Sequence, residues 1–256
     1  MDIIIFGGQS NMQGQTGCLP DVNMPVKGAW EYRIIENKLI ELKHPVGEDY
    51  FPEMGVAAAC EGGGTLIPEF CRTYIQETGR KVVAIHAARG NTKVEEWLKG
   101  TKRYENMAKK IRAGIDKARE IGEIKGVYYV WLQGESDAIN GTSLETYVER
   151  LTEYKNSLKK DFGIIKFGII KVGYFYSTSQ WHRNISTYQE KRACDETIML
   201  AQELAVERDR DFVMLTRVCT ELSLDSRYIN PEASGHYNNA GMDIIGRAAA
   251  MTLAKL

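Results

Sequence analysis

Hydrophobic residues in this chain fall into short β-branched runs that alternate with amphipathic stretches. Residues 3–6 (Ile-Ile-Ile-Phe) form a continuous apolar run closed by Gly7-Gly8, the pattern of a strand buried on both faces. Runs rich in Val, Ile, Tyr and Phe predict further strands at 81–86, 126–132, 164–175 and 212–216. Helical patterns lie between them. The helix at 67–77 has Pro68 in its first turn and Gly79 at its stop. In the helix at 142–160, Leu144, Tyr147, Leu151 and Tyr154 recur at i, i+3, i+4 spacing. Further helices are predicted from the polar loop near residue 90 to about 121, over 185–208 and over 240–256. Residues 15–63 keep no sustained period and end in Gly62-Gly63-Gly64, which predicts one long irregular region of the kind that walls a site. Five apolar strands alternating with helices predict a single α/β domain over 1–256, its parallel sheet covered on both faces.

Composition narrows the function classes. Lysine plus arginine (33) nearly balances aspartate plus glutamate (34), a net charge of -1, so no nucleic-acid partner is expected. No apolar stretch approaches the roughly 20 residues that span a bilayer, and no membrane partner is expected. The five cysteines (Cys18, Cys60, Cys71, Cys194, Cys219) are odd in number and contain no CxxC pair. That usage fits neither a disulfide framework nor a zinc site, so no metal is expected. The start, Met-Asp-Ile-Ile-Ile-Phe, lacks a basic segment and reads as a strand of the mature fold; the expected location is cytoplasmic.

In open α/β sheets, ligands sit outside the carboxyl ends of the strands, so the residues after each strand carry the chemistry. After the first come Gly7-Gly8-Gln9-Ser10-Asn11-Met12. A serine on a tight glycine-supported turn can project above the sheet beside free backbone N–H groups. The segment is neither G-x-S-x-G, nor a P-loop, nor G-x-G-x-x-G, and a helix-capping role for Ser10 fits it as well. After the second strand come Ala88-Arg89-Gly90-Asn91-Thr92, where Gly90 lets a backbone N–H approach a reacting centre, as an oxyanion hole requires. Taken alone, Gly90 is more commonly a turn glycine. After the third come Gln133-Gly134-Glu135: the amide could donate to an oxyanion, and the carboxylate could orient a histidine. Of His44, His86, His182 and His236, only His236 stands in a Gly/Asn-rich loop just before the last helix. A serine hydroxyl needs such a base within hydrogen-bond reach.

These blocks resemble the SGNH hydrolase superfamily. Gly8-Gln9-Ser10-Asn11-Met12, Gln133-Gly134-Glu135 and His236-Tyr237-Asn238-x-Ala240-Gly241 are similar to its carbohydrate-esterase branch of acetylxylan esterases and sialate O-acetylesterase-like domains. Ala88-x-Gly90-x-Thr92 followed by Trp97 resembles that branch's A-x-G-G-T block with its downstream tryptophan. The resemblance implies a flavodoxin-like three-layer α/β/α sandwich and a serine esterase that removes acetyl groups from sugars without a metal or other cofactor. By position, Ser10 is the nucleophile, His236 the general base, and the N–H groups of Ser10 and Gly90 with the Gln133 amide form the oxyanion hole.

Two positions depart from the branch. An aspartate usually stands three residues before the histidine, where this chain has Ala233. Glu135 is then the first choice as third member of a triad, Glu232 the second, and a backbone carbonyl the third. Asn91 replaces the usual second glycine and is expected to reshape the acyl pocket. The expected partner is a small acetylated sugar or oligosaccharide, and oligomeric state stays open. Trp30, Tyr32, Tyr50, Phe51, Trp97 and Trp181 could stack on sugar rings or pack in the core. The rival is a flavodoxin-like nucleotide- or carbohydrate-binding protein, which needs neither His236 nor Gln133.

Overall fold

The computed structural model describes residues 1–47, 63–179 and 187–256. Its centre is a seven-stranded sheet in the order β3-β2-β4-β1-β5-β6-β7. The strands are β1 (Asp2–Gly8), β2 (Ala29–Arg33), β3 (Lys38–Glu41), β4 (Val82–Ala88), β5 (Gly126–Leu132), β6 (Lys166–Ile170) and β7 (Phe212–Thr216). All neighbours pair in parallel except β2 and β3, so the expected five-stranded parallel sheet is corrected to a mixed sheet of seven.

The two additional strands form a hairpin within the region expected to be irregular. Their pattern is obscured by charge. Glu31 faces inward on β2 and is fully buried, where its carboxylate accepts the Gly47 N–H at 2.8 Å and lies 3.1 Å from the Arg33 guanidinium. A buried, partnered carboxylate is stable in a core, yet it breaks the apolar period by which a strand is recognised. β3 is a four-residue edge strand with a charged residue at each end, a common way to blunt an exposed sheet edge.

Helices α2 (Ile67–Thr78) and α8 (Asn239–Leu253) cover one face, and α3 (Lys102–Arg119), α5 (Leu144–Phe162) and α6 (Tyr188–Arg208) the other. Their ends follow from local chemistry. Thr101, Ser143 and Asn238 cap α3, α5 and α8 by accepting the N–H groups of Tyr104, Thr146 and Gly241. Phe6 of β1 meets Phe70 of α2 edge-on, and Trp131 of β5 packs on Tyr154 of α5 across the opposite face. The helical stretch expected from residue 90 to 121 divides into a 3-10 turn at Val94–Trp97 and α3, with Gly100 between them at φ 95°.

The strand expected over 164–175 leaves the sheet after Ile170. There Gln202 Oε1 accepts the Val172 N–H at 3.0 Å and Ser223 Oγ the Tyr174 N–H at 2.9 Å, so side chains replace a neighbouring strand. Three short helices follow directly on strands: α1 (Ser10–Gln13) after β1, α4 (Glu135–Ile139) after β5 and α7 (Cys219–Leu222) after β7. β1 is flanked by β4 and β5, which follow it in sequence on opposite sides. The chain therefore reverses its winding direction at β1, and the loops beyond β1, β4 and β5 converge at that switch point.

Candidate active site

Ser10 opens α1 directly beyond the end of β1 and is 5% exposed. Gln9 fixes the turn from both sides: its N–H donates to the Leu132 carbonyl at 3.0 Å, and its Oε1 accepts the Ser136 N–H at 3.1 Å. At the other end of the chain, Asn230 and Ala233 shape the loop before α8. The Asn230 N–H donates to the His236 carbonyl at 2.8 Å, and the His236 N–H to the Ala233 carbonyl at 3.0 Å. Gly235 has φ 84°, and a Cβ there would lie 2.6 Å from the Phe175 ring, so glycine alone suits this loop.

The two segments meet at the side chains. His236 Nε2 lies 2.8 Å from Ser10 Oγ, and Nδ1 lies 3.0 Å from the Ala233 carbonyl oxygen. A carbonyl can only accept, so the proton sits on Nδ1 and the Nε2 lone pair faces the serine hydroxyl. Burial pulls the His236 pKa below that of an ordinary histidine, while the Ala233 and Ser234 backbone carbonyls oppose the shift. The ring is thus neutral at neutral pH. The Phe175 ring meets it edge-on, with centroids 5.2 Å apart and planes at 90°.

Glu135 does not meet His236. Its Oε1 accepts the Asn11 Nδ2–H at 2.8 Å, it is 2% exposed, and burial raises its pKa. Glu232 is exposed; its N–H donates to Asn230 Oδ1 at 2.9 Å, which holds the loop and not the imidazole. The partner on Nδ1 is the backbone carbonyl of Ala233, the residue three before the histidine.

The Gln133 amide is likewise taken by other partners. Its amide donates to the Thr92 carbonyl at 2.8 Å and to Asp137 Oδ2 at 2.6 Å, and its Oε1 accepts from the Tyr147 hydroxyl at 3.2 Å. Both amide hydrogens are spent, and the side chain is fully buried. The reason is Asp137, whose carboxylate also accepts the Val94 N–H at 2.9 Å and the Thr142 hydroxyl at 2.9 Å. The Gln-Gly-Glu segment therefore ties the loop after β4 to the loop after β5.

Gly90 is brought against the serine. A Cβ at Gly90 would lie 3.1 Å from Gln13 Oε1 and 3.5 Å from the Ser10 Cβ, a close approach that leaves little room for a side chain. Its N–H donates to Gln13 Oε1 at 2.7 Å. The Ser10 N–H, at the start of α1, has no acceptor among the described residues.

The family model described as carbohydrate esterase, sialic acid-specific acetylesterase matches residues 1–219. The chain belongs to this family. It is accordingly a hydrolase acting on esters. A probable carbohydrate esterase from Arabidopsis thaliana is 25% identical over 181 residues, 66% of this chain and 67% of that protein. An Arabidopsis thaliana protein of known structure superposes with a TM-score of 0.67 at 19% identity, over 98% of this chain and 96% of its own. A carbohydrate acetylesterase from Xanthomonas citri gives a TM-score of 0.56 at 15% identity, over 98% of this chain and 55% of its own. A lipase/acylhydrolase from Enterococcus faecalis gives 0.50 at 13%, over 99% and 95%. These three likenesses are of fold, and His236 lies beyond the residues the family model matches.

The carbohydrate-esterase blocks now have local explanations. In the second block, Thr92 Oγ1 donates to the Arg89 carbonyl at 2.9 Å and accepts the Trp97 Nε1–H at 3.1 Å, closing the loop around Gly90. Asn91, where the branch usually has a second glycine, sits at φ 56°, a left-handed conformation that asparagine tolerates better than most residues. Trp97 and Tyr32 are buried in the core and Trp30 is half-buried beneath Lys81, while Tyr50, Phe51, Trp181 and His182 lie outside the described residues. Among the described residues no His/Cys/Asp/Glu group could hold a metal ion, and no helix is long and apolar enough to cross a membrane.

Sequence reasoning gave no role to Asn11, Gln13 or Phe175. Asn11 stood inside a quoted motif, but neither Gln13 nor Phe175 carries a signal of its contact.

Proposed function

We propose that this family member is a serine O-acetylesterase acting on small, soluble acetylated sugars or oligosaccharides. The observation that carries the reading is the 2.8 Å contact between Ser10 Oγ and His236 Nε2. His236 takes the hydroxyl proton as Ser10 Oγ bonds to the acetyl carbonyl carbon, giving a tetrahedral oxyanion. The Ser10 N–H is its first donor; the Gly90 N–H is the second, once the incoming oxygen displaces Gln13 Oε1. Collapse breaks the bond to the sugar oxygen, which receives the proton from His236. Water, deprotonated by His236, then attacks the acetyl-serine; the bond to Ser10 Oγ breaks, Oγ takes the proton back from His236, and acetate leaves.

The Ala233 carbonyl orients the imidazole without supplying a full negative charge, so this reading uses a Ser-His dyad with a backbone orienter. Family membership and the acetylesterase among the structural neighbours support the acetyl-sugar substrate class.

The test is acetate release from acetylated xylo-oligosaccharides, sialic acids and simple sugar acetates, with p-nitrophenyl acetate as a general ester. Ser10→Ala and His236→Ala are each expected to lower kcat at least about 10³-fold, as removing a member of such a unit does. Hydrolysis by folded Ser10→Ala at near the parent rate would overturn the mechanism.

A further inference from the structure

The side chain that follows the serine reaches across the site to the loop that carries the histidine. Asn11 Nδ2 donates to Glu135 Oε1 at 2.8 Å and to the Gly235 carbonyl at 3.3 Å, and Asn11 Oδ1 accepts the Tyr237 N–H at 3.4 Å. Gly235 and Tyr237 flank His236, so one amide holds the backbone on both sides of the imidazole. Asn11 and Glu135 are each 2% exposed and Tyr237 is 3% exposed, which leaves water little chance to substitute for these bonds. The longest of them is near the limit of a useful hydrogen bond, so the direction in which the amide faces matters.

We propose that Asn11 and Glu135 are a positioning pair: Asn11 docks the His236 loop on the helix that carries Ser10, and Glu135 acts only through Asn11 by fixing which way its amide points. The proposal rests on the serine-esterase reading above. An asparagine amide rotated by half a turn would set its oxygen against Glu135 Oε1 and the Gly235 carbonyl, and its NH2 against the Tyr237 N–H. All three contacts would then oppose like groups. Glu135 prevents this by presenting an acceptor where only the NH2 can face it. The task needs an acceptor oxygen and no charge: where burial keeps the carboxyl protonated, the proton belongs on Oε2, and Oε1 still accepts the Asn11 amide.

A positioning role differs from membership of a triad in what each substitution does. Glu135→Gln keeps an acceptor oxygen and is expected to stay within about threefold of the parent. Glu135→Ala and Asn11→Ala are expected to lower kcat by tenfold or more, toward the ~10² that a misplacement of about 1 Å costs, with KM little changed. The double substitution should lose no more than Asn11→Ala alone, because both act along one route. An independent readout is the NMR titration of the His236 ring. Asn11→Ala should move its pKa upward toward the ordinary value as the loop loosens, and Glu135→Gln should leave it in place. Asn11→Asp, which keeps the side-chain volume, serves if Asn11→Ala fails to fold, and is expected to behave like it.

Glu135→Gln as damaging as Glu135→Ala, or losses that multiply in the double variant, would overturn the proposal. A parent that hydrolyses no ester would instead refute the serine-esterase reading. The ring titration then still decides the positioning pair: an unmoved His236 in Asn11→Ala or Asn11→Asp overturns it.

Discussion

Replacing Gln133 by leucine separates two roles that one glutamine could have. As an oxyanion donor it would face Ser10, and its loss would cost about 10²–10³ in kcat with stability little changed. The structure instead spends both amide hydrogens inside a buried network, on the Thr92 carbonyl at 2.8 Å and on the Asp137 carboxylate at 2.6 Å. A neutral hydrogen bond contributes about 0.5–1.5 kcal/mol and one to a charged group about 1.5–3. The two together come to about 3 kcal/mol. For a chain of this size each kcal/mol moves Tm by about 2–4 °C, so Gln133→Leu should melt ~6–12 °C below the parent. Calorimetry gives Tm, and p-nitrophenyl acetate hydrolysis well below the transition gives kcat. Any fall in kcat should come with the loosened loop around Gly90. A variant that melts within a degree or two of the parent yet loses 10² in kcat would refute the network and return Gln133 to the oxyanion hole.

Two further outcomes follow from the site. The base must be neutral to act, and burial lowers the His236 pKa, so kcat/KM should fall with acid only at a midpoint below the 6.5 of an ordinary histidine. The fall should follow a single proton, because a carbonyl orienter does not titrate; a midpoint at or above 6.5, or a two-proton slope, counts against the dyad. At Asn91, where φ is 56°, glycine should be tolerated within about 0.5 kcal/mol, whereas valine should cost about 1–2 kcal/mol in urea unfolding. Equal stability of the two variants would refute the left-handed assignment.

The parts of the site that sequence made legible are those where a residue type has few alternative uses. Ser10 on a glycine turn at a strand end and His236 in the loop before the last helix were singled out separately, and the fold brings them together. Gln133 and Glu135 were placed correctly at the end of β5, but the direction of a side chain depends on partners elsewhere. Asp137 takes the amide and Asn11 faces the carboxylate. The partner of His236 Nδ1 is the least legible, since a backbone carbonyl exists at every residue and leaves no mark in composition. The same limit applied to the fold: an inward-facing Glu31 hid a strand, and side-chain acceptors from Gln202 and Ser223 ended another earlier than its apolar run suggested.

Ser10 and His236 are 226 positions apart, yet their side chains touch. Contacts of such separation close the largest loops in a chain and are entropically among the most expensive to form. Turnover therefore reports on the docking of the last segment, whereas circular dichroism reports mainly on the helices and the sheet. During refolding, ellipticity should recover before hydrolysis does. The delay between the two would time the arrival of the loop before α8 on a sheet already built.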